Sequence, residues 1–79
     1  MSHRFTDEEK RELDFYRQSV TDKKALRRLE ALELRAKGMR NREISALTGF
    51  HPQYITVLVS QYKRGGIGSI LAKRDTSDR

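Results

Sequence analysis

Apolar residues recur at helical spacing along most of this chain, and glycine, proline and short polar stretches divide the recurrences. Leu13 and Tyr16 share one side of a first segment. Ala25, Leu26, Leu29, Leu32 and Ala36 fall within one arc of a second. Ile44 and Leu47 give a third segment an apolar side, and Ile55, Leu58, Val59 and Tyr62 form a stripe on a fourth. Spacings of three and four residues predict amphipathic helices. The expected fold class is all-α: a small four- to five-helix bundle.

Helix ends are marked as well. Thr6 followed by Glu9 is a capping box, and Asp7, Glu8 and Glu9 suit the positive end of a helix dipole, so a first helix runs from Thr6 to about Gln18. Its apolar face is thin and Phe15 points elsewhere, so it reads as a lid on the bundle, with a partner-binding helix as the other option. Thr21 is the expected cap of a second helix over about Asp22 to Lys37, closed by Gly38, with Lys24, Arg28 and Arg35 opposite its apolar arc. This basic back reads as a solvated face, with phosphate contact as the other option. Leu34 lies off the arc and would meet the first helix or a second subunit. Asn41 is the expected cap of a third helix, Arg42 to Thr48. A fourth runs from about Pro52 to Arg64 and ends at Gly65-Gly66. Ile67 to Ala72 would add a short turn folding back on the bundle. Lys73 to Arg79 reads as a flexible polar tail.

The third and fourth helices are the informative pair. Over Asn41 to Ser60 the spacing is an isoleucine, a glycine five residues on, an apolar residue after it, then apolar residues five and eight beyond: Ile44, Gly49, Phe50, Ile55, Leu58. Gly49 would supply a left-handed helix exit, and Pro52 suits a first helical position. This is the helix-turn-helix pattern, whose second helix reads the major groove in DNA-binding proteins. Ser45 stands where alanine is commonest. Thr48 replaces a larger apolar residue, so Leu47 is expected to carry that contact. The plain alternative is a helical hairpin in an ordinary bundle.

Charge adds to the picture. The net charge is +6, and the segment Thr21 to Arg64 by itself carries +6, against −1 before it and +1 after it. A basic surface suits a polyanion, though a solvated lysine and arginine face is also common. With 79 residues the chain makes one domain, 1–79, holding a helix-turn-helix unit at 41–64, an accessory helix at 6–19 and a tail at 73–79. A core this small supplies about 3–5 kcal/mol, so a homodimer is a reasonable way to add buried area. There is no cysteine, hence no disulfide and no thiolate metal site. The only long apolar run, Tyr54 to Val59, is far too short to cross a bilayer, and the N-terminus lacks the apolar core of a secretion signal. The expected setting is cytoplasmic, with no membrane association.

On the fourth helix Gln53, Thr56, Val57, Ser60 and Arg64 lie opposite the apolar stripe. Gln53 is the best base reader, since its amide matches adenine N6 and N7. Val57 is apolar where a solvated helix prefers polar residues, and a thymine methyl suits it. Thr56 can bond to a base edge or a phosphate, and Ser60 to a base edge. Arg40, Asn41 and Arg42 at the start of the third helix, His51 and Tyr54 at the start of the fourth, and Lys63 and Arg64 at its end are candidates for phosphate. Such contacts position a protein without specifying sequence. For each residue the plain alternative is a surface or packing side chain; His51 can also serve as a helix cap. A metal site is not expected, because the only other histidine, His3, falls in a terminus that reads as loose. No glycine-rich phosphate loop, histidine pair or nucleophile signature occurs, so an enzyme is not expected. No cofactor, metal or small-molecule substrate is evident.

The segment Gly38-Met39-Arg40-Asn41-Arg42-Glu43-Ile44-Ser45, and the run Tyr62-Lys63-Arg64-Gly65-Gly66 followed by Ile67 to Leu71, resemble the N-terminal helix-turn-helix domain of bacterial insertion-sequence transposases. That domain is homeodomain-like, and related small regulators share it. The resemblance covers about residues 25 to 74. It implies double-stranded DNA as partner, transposon ends in particular. It also implies a following catalytic domain that this chain lacks, so the chain is either an isolated domain or a stand-alone regulator with the same module. Lys73-Arg74 resembles the family's link to a second DNA-binding unit.

Two further readings compete. A protein-interaction adaptor would present Phe15, Leu34 and Val57 to a partner without reading DNA. RNA binding would require a shape or single-strand reader, and no aromatic stacking platform is evident.

Overall fold

The computed structural model describes residues 5–71. Helix α1 spans Asp7–Ser19, α2 Lys23–Ala36, α3 Asn41–Thr48 and α4 Pro52–Leu71, and no strand occurs among the described residues. The expected tail, the Lys73-Arg74 link and His3 lie outside the described residues. Helices α2, α3 and α4 pack on one another, and α1 lies against α2.

The core is drawn from all four helices. Leu13 enters from α1, Leu29, Ala31 and Leu32 from α2, Ile44 from α3, and Ile55, Leu58, Val59, Tyr62 and Ile70 from α4. The expected stripe of α4 is therefore its buried face. Helix α1 is a lid: Leu13 is fully buried, Arg17 pairs with Glu33 of α2, and Lys63 Nζ of α4 reaches Glu9 Oε1 at 2.8 Å. Phe5, just before α1, stacks on the Tyr62 ring at 5.9 Å.

Local chemistry sets the ends. The Thr6 capping box forms, with Glu9 N–H donating to Thr6 Oγ1 and Thr6 N–H to Glu9 Oε1. Helix α2 is capped by Asp22, whose carboxylate accepts from Ala25 N–H at 2.9 Å, and not by Thr21 as expected. A charged acceptor one residue later is the stronger cap. Helix α3 starts one residue earlier than expected, so its cap is Arg40. Arginine has no side-chain acceptor, so half of a capping box forms: Glu43 Oε1 accepts from Arg40 N–H. Asn41 is then the first helical residue, and its side chain is freed for the longer reach described below.

Between α3 and α4, Gly49 has φ 86°, a left-handed exit that a Cβ disfavours. Gly66, at φ 74°, breaks α4. The helix through Gly65 is followed by a short continuation over residues 67–71, whose Ile70 is buried. That matches the expected stop and fold-back.

Three expectations about faces are corrected. Leu47 is 65% exposed and carries no core contact, whereas Thr48 is 3% exposed. Threonine fits there because its hydroxyl is satisfied twice, donating to Ile44 O and accepting from Phe50 N–H. Arg28 is not on a solvated back but 4% exposed, its Nε donating to the Ile70 carbonyl at 3.2 Å. It falls three residues after Ala25, on the same side of α2, and its long stem covers apolar surface while the head meets a carbonyl. Ala31, off the expected arc, is fully buried.

Candidate nucleic-acid interface

The outer side of α4 is what the packing leaves over. Ile55, Leu58, Val59 and Tyr62 are buried, while Gln53, Thr56, Val57 and Arg64 are exposed and Ser60 is half-buried. At about 100° per residue these five make one face of the helix. Val57 is 44% exposed on it, an apolar side chain among polar neighbours.

The start of this face is fixed by two devices. Pro52 opens the helix where a missing N–H costs nothing. His51 caps it, with Nδ1 accepting from Gln53 N–H at 3.1 Å. That bond puts the ring proton on Nε2, which is then an outward donor on an exposed residue. The phosphate and capping readings of His51 are compatible here, because the cap does not use the ring's other nitrogen.

Asn41 ties α3 to the same face. Its Nδ2 donates to Thr56 Oγ1 at 2.7 Å and to the Pro52 carbonyl at 3.1 Å. Both amide donors are thus engaged inside the protein, and Oδ1 is buried without a hydrogen-bond partner. A phosphate needs donors, so the structure gives Asn41 a positioning contact in place of the expected phosphate contact. Lys63 likewise turns to α1. It pairs with Glu9 and lies 4.6 Å from the Phe5 ring centroid, away from the exposed face. Arg40, Arg42 and Arg64 are exposed.

Electrostatics separates the two sides of α4. Burial pushes the Glu9 carboxyl up, but hydrogen bonds from Lys63 and Thr6 and the Lys63 charge outweigh it and hold the group below its ordinary 4.5. Burial, then the hydrogen bond to Glu12 and the charges of Glu12 and Glu9, push the Tyr62 phenol well above its ordinary 10.0. The Tyr62 hydroxyl donates to Glu12 Oε1 at 2.6 Å. The acidic partners of Lys63 and Tyr62, Glu9 and Glu12, both come from α1.

The sequence marked a basic back on α2 but not the groove that it forms. Lys23, Lys24, Arg27 and Arg28 of α2 line a groove with Phe50 and Tyr54. Phe50 and Tyr54 meet edge to face at 4.9 Å. Arg27 Nη1 donates to the Thr48 carbonyl at the end of α3, which holds the first turn of α2 beside the start of α4. A usable signal existed: α2 has no acidic residue in its first turn but two lysines, against the preference of a helix dipole.

A three-helix unit whose last helix leaves one face exposed behind a glycine turn defines a helix-turn-helix DNA-binding domain. A profile described as homeodomain-like domain matches residues 22–70, from the α2 cap to Ile70. The chain belongs to that family, and its module is of the kind found in transposases and regulators. Helix α1 lies outside the matched stretch. No curated protein and no solved structure matches the chain. Among the described residues no helix is long and apolar enough to cross a membrane.

Proposed function

We propose that this protein binds duplex DNA sequence-specifically, with the first half of α4 in the major groove. The observation that carries this reading is the division of α4: one face fully built into the core, the other exposed and holding Gln53, Thr56 and Val57. Gln53 reads adenine, Val57 meets a thymine methyl, and Thr56 and Ser60 bond base edges. Thr56 Oγ1 already accepts from Asn41, and its hydroxyl can still donate. Arg40, Arg42 and Arg64, with His51 through Nε2, hold phosphates. The protein acts by binding, in a transposon-associated role or as a small cytoplasmic regulator, with no reaction of its own.

Selection of bound duplexes from a random pool, followed by salt titration on the selected sequence, tests this. A defined consensus with binding that weakens steeply as salt rises is the expected result. A two-fold symmetric consensus indicates a homodimer, because half-site symmetry mirrors protein symmetry. An asymmetric one fits a transposon end. Failure to enrich any duplex sinks the reading.

The adaptor reading draws on Phe15 and Val57, 61% and 44% exposed, whereas Leu34, expected with them, packs against the core. It differs in one measurable respect: its complex would survive high salt and the loss of Arg40, Arg42 and Arg64.

A further inference from the structure

We infer that the groove between the first turns of α2 and α4 is a second phosphate-binding bank, gripping the DNA strand opposite the one met by α3. The inference rests on the major-groove reading above and adds to it a surface that reading does not use.

The two sides of α4 carry the geometry. Take the line through Gln53, Ser60 and Arg64 as the centre of the exposed face. At 100° per residue Thr56 lies about 60° to one side and Tyr54 about 100° to the other. Asn41 bonds Thr56, so the start of α3, with Arg40 and Arg42, flanks the first side. Tyr54 shares its groove with Lys23, Lys24 and Arg27, so the start of α2 flanks the second. A helix in the major groove lies between two sugar-phosphate strands. This domain has cations on both flanks of its exposed face, and among the described residues no acidic one lines the groove.

Three features fit a phosphate. The groove holds about 200 Å³, below the roughly 300–1,000 Å³ of small-molecule sites and enough for a phosphate with part of its sugar. Its aromatic pair, Phe50 and Tyr54, offers an apolar wall beside the charge. Lys23 and Lys24 stand in the first turn of α2, where the dipole works against cations. A polyanion alongside offsets that penalty.

The test is a salt titration on the selected duplex by fluorescence anisotropy. It compares the wild-type chain, Lys23→Gln/Lys24→Gln, Tyr54→Phe and the control Lys10→Gln. Lys23, Lys24 and Lys10 are exposed, and Lys10 belongs to α1, behind α4. Each phosphate contact contributes about 0.9 to the slope of log K against log salt. The double variant is therefore expected to lose nearly two from that slope. Over a fourfold rise in salt the wild type then weakens about tenfold more than the double variant. Tyr54→Phe weakens binding to all duplexes alike, and Lys10→Gln leaves the slope unchanged. If the wild type binds with a steep slope and the double variant keeps it, the second bank is refuted while the major-groove reading stands. If the wild type shows no salt-dependent binding, both fall.

Discussion

The amide nitrogen of Asn41 sits 2.7 Å from Thr56 Oγ1 and 3.1 Å from the Pro52 carbonyl, joining the first residue of α3 to the exposed face of α4. The Pro52 oxygen only accepts, so it fixes which way the amide points. This contact sets the angle between the two helices at the end that would meet DNA.

The pair should therefore be coupled. In a double-mutant cycle on urea unfolding, Asn41→Ala and Thr56→Val are expected to show about 0.5–1 kcal/mol of interaction, the range of one partly exposed neutral hydrogen bond. Additivity within about 0.3 kcal/mol would show that the bond holds nothing in place.

Gly49 ends α3 at φ 86°, and a Cβ there would meet only the far end of Arg27 at 4.0 Å. Any cost of a side chain is thus conformational, not steric. Gly49→Ala should destabilise by about 1–2 kcal/mol, and Gly49→Asn by less, because asparagine tolerates the left-handed region. Equal losses for the two in thermal unfolding would contradict this.

For Gln53→Ala, the expected result is a loss of discrimination at one base position, worth about 1–3 kcal/mol, with the salt slope kept. Arg64→Gln should do the reverse, weakening all duplexes alike and lowering the slope by about one. Competition binding against single-position variants of the selected site separates the two outcomes. A uniform loss from Gln53→Ala would remove it from the base-reading set.

Helices and the turn were legible because they depend on local chemistry. Thr6 with Glu9, Gly49, Pro52 and the stripe from Ile55 to Tyr62 each state their role within a few residues. What escaped depends on distant partners. Arg28 is buried because Ile70, 42 residues away, supplies a carbonyl. Lys63 leaves the exposed face because Glu9 arrives from 54 residues earlier. Thr48 is preferred over Leu47 in the core because its hydroxyl can be satisfied by its own turn. The basic groove needed α2 and α4 placed side by side, which no spacing along the chain records.

Arg28 joins α2 to the short segment after Gly66. Its removal leaves the Ile70 carbonyl without that donor and takes a long side chain from a buried place. Arg28→Ala is expected to cost about 1–3 kcal/mol. Hydrogen exchange should quicken first over residues 67–71, with the half of α4 before Gly66 little changed. Uniform acceleration along α4 would show that the break at Gly66 does not divide it.

The lid should respond to pH at both ends of the scale, with opposite signs. Glu9 is held below 4.5 by Lys63 and Thr6 against the pull of burial. Its contribution is therefore present above pH 4.5 and fades as pH falls through the lower folded value. Tyr62 is pushed above 10.0, chiefly by burial and then by its bond to Glu12. The unfolded chain ionises first, so stability declines as pH climbs past 10.0. The acid effect is small, since a partly exposed pair is worth about 0.2–1 kcal/mol. Glu9→Gln should flatten the acid limb and trim the alkaline limb only slightly, since the Glu9 charge is the smallest cause of the Tyr62 shift. Tyr62→Phe should remove the alkaline limb and leave the acid one. Chemical-shift titration of the Phe5 and Tyr62 rings, which stack at 5.9 Å, reports α1 docking directly. An acid limb that survives Glu9→Gln would mean that α1 is held by Leu13 and the Arg17–Glu33 pair, with Lys63 a bystander.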